Sequence, residues 1–132
     1  RLPYLTKRAG ALMAKGRLMG VMYEAAFDPA NADGCGTLPY WRYAARANAA
    51  SVRLARGLAA TGFELLLQTA GNQQFFWVDA EQGARLAEHL GAELMEARDP
   101  AGAGRVLARL VTSWAATDAD VDEAIAFART LS

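Results

Sequence analysis

Apolar side chains recur along this chain at helical spacing near both ends and in short unbroken runs in the middle. From Lys7 to Ala26 the positions Leu12, Met13, Leu18, Met19, Val21 and Met22 give an apolar side to a segment rich in alanine, which predicts a helix. Gly10, Gly16 and Gly20 lie inside it. Each costs about 1 kcal/mol relative to alanine in a helix interior, and small residues there let a second backbone come close. Phe27 to Pro39 holds two prolines, three Asx residues and two glycines and reads as a loop. A second long helix is expected from about Leu38 to Ala60, with Tyr43, Ala47, Ala50, Leu54 and Leu58 on one side and Thr61-Gly62 as its stop.

The pattern then changes. Glu64 to Gln68 is short, apolar and bounded by Gly62 and Gly71, which predicts a strand. Thr69 to Asn72 is a turn, and the aromatic, β-branched run Gln73 to Val78 is a second strand. Asp79 with Gln82 three residues on forms a capping box that opens a helix carrying Leu86 and Leu90 and closed by Gly91. Ala92 to Met95 fits a short edge strand, Asp99 to Gly104 a turn, and Arg105 to Val111 a further strand. Thr117 caps the last helix, whose buried stripe is Val121, Ile125, Ala128 and Leu131. The acidic run Asp118 to Glu123 complements the dipole at that helix start, and this reading is preferred to a metal site. The order predicts an α+β fold, a small, mostly antiparallel sheet covered by helices. We expect one domain over 1–132, with two long helices in 1–60 and an α/β sandwich part in 61–132.

Composition narrows the functional classes. The 132 residues carry 14 basic and 14 acidic side chains, so there is no broad field to attract nucleic acid or an anionic membrane. No apolar run approaches the length of a membrane span. With Cys35 the only cysteine, no internal disulfide forms and a cytoplasmic setting is expected. The opening Arg1-Leu2-Pro3, without Met, is expected of a segment of something longer.

The usual chemical motifs are absent. There is no Gly-rich phosphate loop, and one histidine, His89, with one cysteine cannot build an ordinary structural zinc site. We read Cys35 as a loop thiol and His89 as a surface helix residue. The most informative stretch is Arg109-Leu110-Val111-Thr112-Ser113-Trp114, where a strand carries an arginine into a polar turn and a capped helix. A guanidinium near a strand's C-terminal end, reaching past the sheet edge, suits a carboxylate because two parallel N–H donors match two oxygens. On the residues alone, an arginine at a strand end is more often a plain surface charge.

That stretch, followed by an Asp-rich helix start, resembles the C-terminal end of threonine aldolases, which are pyridoxal-phosphate enzymes of the β-eliminating lyase group with the aminotransferase-like fold (fold type I). Lys7-Arg8-Ala9-Gly10 with Lys15-Gly16-Arg17 is similar to that family's helix after the cofactor lysine. Arg46-Ala47-Asn48-Ala49-Ala50 with Leu54 and Leu58 is similar to the long helix that follows, and Ala70 to Phe76 to its Asn-containing strand. The resemblance covers nearly the whole chain. It implies a C-terminal small domain of an enzyme that cleaves β-hydroxy-α-amino acids to glycine and an aldehyde. It implies that Arg109 binds the substrate α-carboxylate, that Arg17 approaches the phosphate of pyridoxal 5'-phosphate, and that Asn72 is structural. It also implies a homo-oligomer, dimer or tetramer. The Schiff-base lysine lies in the family's large domain, and neither Lys7 nor Lys15 stands at its position, so the segment alone is expected to be inactive. The alternatives are the small domain of another fold-type I lyase or aminotransferase, and a non-catalytic module in which the two N-terminal helices mediate assembly.

Overall fold

In a computed structural model, described over residues 2–9 and 16–131, the chain packs as two compact units, 1–42 and 43–132. The first unit holds α1 (Leu2–Arg8), α2 (Gly16–Phe27), a short 3-10 turn at Pro29–Asn31 and the first residues of α3 (Pro39–Ala60). Helix is present at both ends of the segment read as helical from Lys7 to Ala26. Gly10, Leu12, Met13 and Lys15 lie outside the described residues. Asp28 caps the 3-10 turn by accepting from the Ala30 N–H. Asp33 Oδ1 accepts from the Cys35 and Thr37 N–H groups, each at 2.9 Å, which shapes the following loop. Phe27 stacks on Tyr40 with ring centroids 4.6 Å apart. Gly20 faces open space, since a Cβ there would meet nothing within 4 Å.

The second unit contains the sheet. The rest of α3 leads to β1 (Glu64–Leu65), β2 (Gln73–Val78), α4 (Ala80–Leu90), β3 (Glu93–Met95), β4 (Val106–Val111) and α5 (Asp118–Arg129). The strands form one antiparallel sheet in the order β1-β2-β4-β3. Leu54 and Leu58 of α3, Leu86 of α4, and Val121 and Ala128 of α5 pack with Phe76, Val78, Ala108 and Leu110 of the two central strands in one core. Period-two alternation then puts Phe75, Trp77, Leu107 and Arg109 on the opposite face of the sheet. The boundary between the two units falls within α3, at 42/43, and the later part of that helix supplies Ala47, Leu54 and Leu58 as buried residues of the second unit.

Local signals hold the helices in place. Asp79 Oδ1 accepts from the Gln82 N–H at 2.8 Å and Gln82 Oε1 accepts from the Asp79 N–H at 3.1 Å. Gly91 ends α4 in the left-handed region with φ 66°. Thr117 and Asp120 make the same reciprocal pair at α5, and these hydrogen bonds hold the Asp120 carboxyl below its ordinary pKa. Strand β1 is shorter than the five residues expected. After the Leu66 N–H donates to the Phe75 carbonyl, pairing stops, and the Thr69 hydroxyl donates to the Gln73 carbonyl at 2.7 Å to close the turn.

Candidate functional site

The stretch singled out in the sequence, Arg109 to Trp114, lies at the end of β4 and the turn after it. Its residues have separate tasks. Leu110 is in the core. The buried Thr112 hydroxyl donates to the Ala47 carbonyl at 2.7 Å and ties the end of the strand to α3. Asn72 and Thr112 exchange two hydrogen bonds, Nδ2 to carbonyl and N–H to carbonyl, both 2.9 Å, so Asn72 serves the sheet end. Ser113 Oγ accepts from the Ala115 N–H. Trp114 is largely exposed and its ring lies 5.2 Å from that of Tyr43.

Strand β4 is flanked by β2 and β3, and the Arg109 side chain is held between one residue of each. Its Nη2 donates to Glu93 Oε2, the residue directly opposite on β3, and its Nη1 donates to Gln73 Oε1 on β2 at 3.4 Å. The Nε–H is buried without a partner among the described residues. The arginine side chain is 28% exposed and the glutamate 56%. Glu93 and Gln73 are therefore the site partners that sequence reading missed. Both lay in segments read as strands, but which strands pair, and in what register, is a non-local property.

Beside Arg109's strand lies a pocket of about 350 Å³ with Thr112, Ser113, His89, Leu90 and Asp120 among its walls; Arg109 is not one of them. His89 is exposed and stacked on Phe127 at 4.0 Å, and Cys35 is exposed in the first unit's loop. The acidic run at the start of α5 has its own partners. Arg53 of α3 donates to Asp118 Oδ1 at 3.1 Å and to Asp122 Oδ1 at 2.5 Å. Among the described residues no group of three or more His, Cys, Asp or Glu side chains is placed to hold a metal, and no helix is long and apolar enough to cross a membrane.

Arg17 lies in the first turn of α2, exposed, and its guanidinium has no ion-pair partner among the described residues. An exposed guanidinium has the chemistry that the phosphate end of a pyridoxal-phosphate molecule would need of it. Lys7, the lysine among them, is exposed on α1.

No family model and no curated protein matches the chain. Solved structures do. Threonine aldolase from Leishmania major superposes with a TM-score of 0.70 at 27% identity, over 98% of this chain and 34% of that one. Serine palmitoyltransferase from Sphingomonas wittichii superposes with a TM-score of 0.52 at 25% identity, over 66% of this chain and 23% of that one. The 8-amino-7-oxononanoate synthase of Francisella tularensis, at 15% identity and a TM-score of 0.53, shares the fold over 65% of this chain and 26% of its own. The chain spans about a third of the length of the threonine aldolase it resembles. It has the architecture of the C-terminal part of the fold-type I pyridoxal-phosphate enzymes, and over nearly its whole length it is similar to a threonine aldolase.

Proposed function

We propose that this chain is the small domain of a pyridoxal-phosphate-dependent aldolase that cleaves threonine-like β-hydroxy-α-amino acids to glycine and an aldehyde. The observation that carries the reading is the extent of the likeness to threonine aldolase. It covers 98% of the chain and so takes in the N-terminal helices, whereas the serine palmitoyltransferase likeness covers 66% of it. The cofactor, when bound, supplies an electron sink for the charge left as Cα–Cβ breaks. Arg109 grips the substrate α-carboxylate with two N–H donors and fixes the orientation of the bond to be broken. Arg17 meets the cofactor phosphate, and Asn72 with Thr112 holds the end of β4 so that Arg109 keeps its place. The lysine, the ring-stacking group and the base for the β-hydroxyl proton come from a large domain, and the working unit is a homo-oligomer in the cytoplasm.

The test is product analysis on the protein that carries this chain, supplied with pyridoxal phosphate and threonine. Glycine plus acetaldehyde supports the reading; pyruvate plus ammonia, or a keto acid, replaces it with another fold-type I activity. Arg109→Ala is expected to raise KM and to cost about 1.5–3 kcal/mol, roughly ten- to a hundredfold in kcat/KM. Arg109→Lys recovers only part of this, because the fork geometry is lost. Unchanged threonine kinetics in Arg109→Ala would sink the assignment.

A further inference from the structure

The guanidinium assigned to the substrate is already engaged. Nη2 holds Glu93, Nη1 holds Gln73, and the Nε–H is buried with no partner among the described residues. A carboxylate docks best on two parallel N–H donors. With the edge that includes Nε closed, the Nη1/Nη2 edge is what remains, and Gln73 and Glu93 each draw on one of its two nitrogens.

The two competitors differ. Gln73 is neutral and its contact is long at 3.4 Å, so it yields readily. Glu93 carries a full charge, and the backbone register delivers it: it is the first residue of β3 and stands directly across from Arg109. At 56% side-chain exposure its carboxylate has water to turn into, while Arg109, on an interior strand, stays where it is.

Resting on the carboxylate-binding role proposed for Arg109, we infer that Glu93 is a built-in competitor for the substrate carboxylate and sets the affinity of the site. Binding is then an exchange of one carboxylate for another on the same guanidinium. Glu93 keeps Arg109 paired when no substrate is present, and its rotation to solvent opens the site. Carboxylate affinity is thereby held below what the bare arginine would give. A merely structural Glu93, one that props the guanidinium in position, makes the opposite prediction: its removal loosens Arg109 and weakens binding.

The experiment titrates the chain with sodium acetate at constant ionic strength. It follows the Arg109 Nε–H and Gln73 side-chain amide signals by ¹⁵N NMR, in the wild type and in Glu93→Gln. Removing the charge while keeping the shape should tighten acetate binding roughly fivefold, the scale of a partly exposed ion pair. Glu93→Ala, at an exposed edge position, should shift affinity in the same direction and guards against an effect peculiar to glutamine. Equal or weaker binding in both variants overturns the inference. Arg109→Ala separates it from the reading beneath. If that variant loses the Gln73 response while Glu93→Gln gains nothing, the competitor role fails and Arg109 stands. If Arg109→Ala responds as the wild type does, both fail together.

Discussion

Helices α2 and α4 are of similar length, and the fold uses them in nearly opposite ways. α2, with the sequence GRLMGVMYEAAF, is the more apolar, yet it buries none of its residues; Leu18, Val21, Met22 and Tyr23 are all more than half exposed. α4, with the sequence AEQGARLAEHL, is mostly polar, yet Leu86 is fully buried. Gly83 packs so closely against Val106 that an added Cβ would come within 3.0 Å of it. Apolar content does not explain the contrast. α4 leaves β2 through a capping box and returns into β3, so its neighbours in sequence become its neighbours in space. α2 runs into a loop shaped by Asp28 and Asp33, and its own unit presents it with no surface that buries it. Hydrophobicity marks a face that could be buried; which faces are buried is decided by what the chain connections bring against them.

The contrast breaks if both units respond alike to truncation. Phe76 is fully buried and meets Phe63 edge-on at 5.7 Å. Phe76→Ala should cost about 3–5 kcal/mol, from lost transfer free energy plus the cavity left behind. Leu18, at 68% exposure, should change stability by less than about 0.5 kcal/mol when cut to alanine. Urea unfolding followed by tryptophan fluorescence measures both, with Trp41 reporting from the first unit and Trp77 and Trp114 from the second. A cost below about 1 kcal/mol for Phe76→Ala would mean that the core of residues 43–132 is not packed as described.

A smaller effect tests how the second unit fastens its functional strand. The Thr112 hydroxyl donates to the Ala47 carbonyl within the protein interior. Thr112→Val keeps the shape and removes the donor, which should cost about 1 kcal/mol and leave the helices intact. Hydrogen exchange should quicken at the Thr112 amide, which donates to Asn72. No change in exchange there would show that α3 does not anchor the end of β4.

These residues also show what was legible in the sequence. The Asp79–Gln82 capping box was, and so was Thr117 as the cap of the last helix, because such signals act across three residues and need nothing from afar; that Asp120 returns the hydrogen bond to Thr117 came from the structure. The α+β class and the helix-covered antiparallel sheet followed from the change of hydrophobic period. The site was legible only as Arg109 alone. Its partner Glu93 is sixteen residues earlier, and Gln73 thirty-six earlier, and neither contact exists until β2, β4 and β3 have paired in register. Strand β1 was overread for a related reason. Leu66 and Leu67 look like strand residues, but an edge position with one partner lets the chain turn away as soon as Thr69 offers a competing hydrogen bond.

The finest comparison between the units lies in two loops built on one device. Asp33 in the first unit and Asp99 in the second each gather backbone N–H groups onto a carboxylate. Both are held below the ordinary value of 3.8, for different leading reasons. For Asp33 the largest cause is the Thr37 N–H, followed by that of Cys35, with Arg42 contributing from 3.9 Å. For Asp99 it is the Arg105 side chain, which donates at 2.9 Å and 3.2 Å and is itself braced by Glu64. Asp99 is therefore depressed much further. A carboxyl whose folded pKa lies below its unfolded one contributes stability that is complete above the unfolded value and disappears as pH falls through the folded one. Acidification below pH 4 should therefore release the Asp33 loop first, while the Asp99 loop persists to distinctly lower pH. Carboxyl ¹³C shifts followed through an acid titration would order the two events. Asp99→Asn should erase the later step and leave the earlier one in place, because the two loops belong to separate units. Simultaneous titration of both carboxyls would mean that Arg105 does not hold Asp99 as the geometry requires.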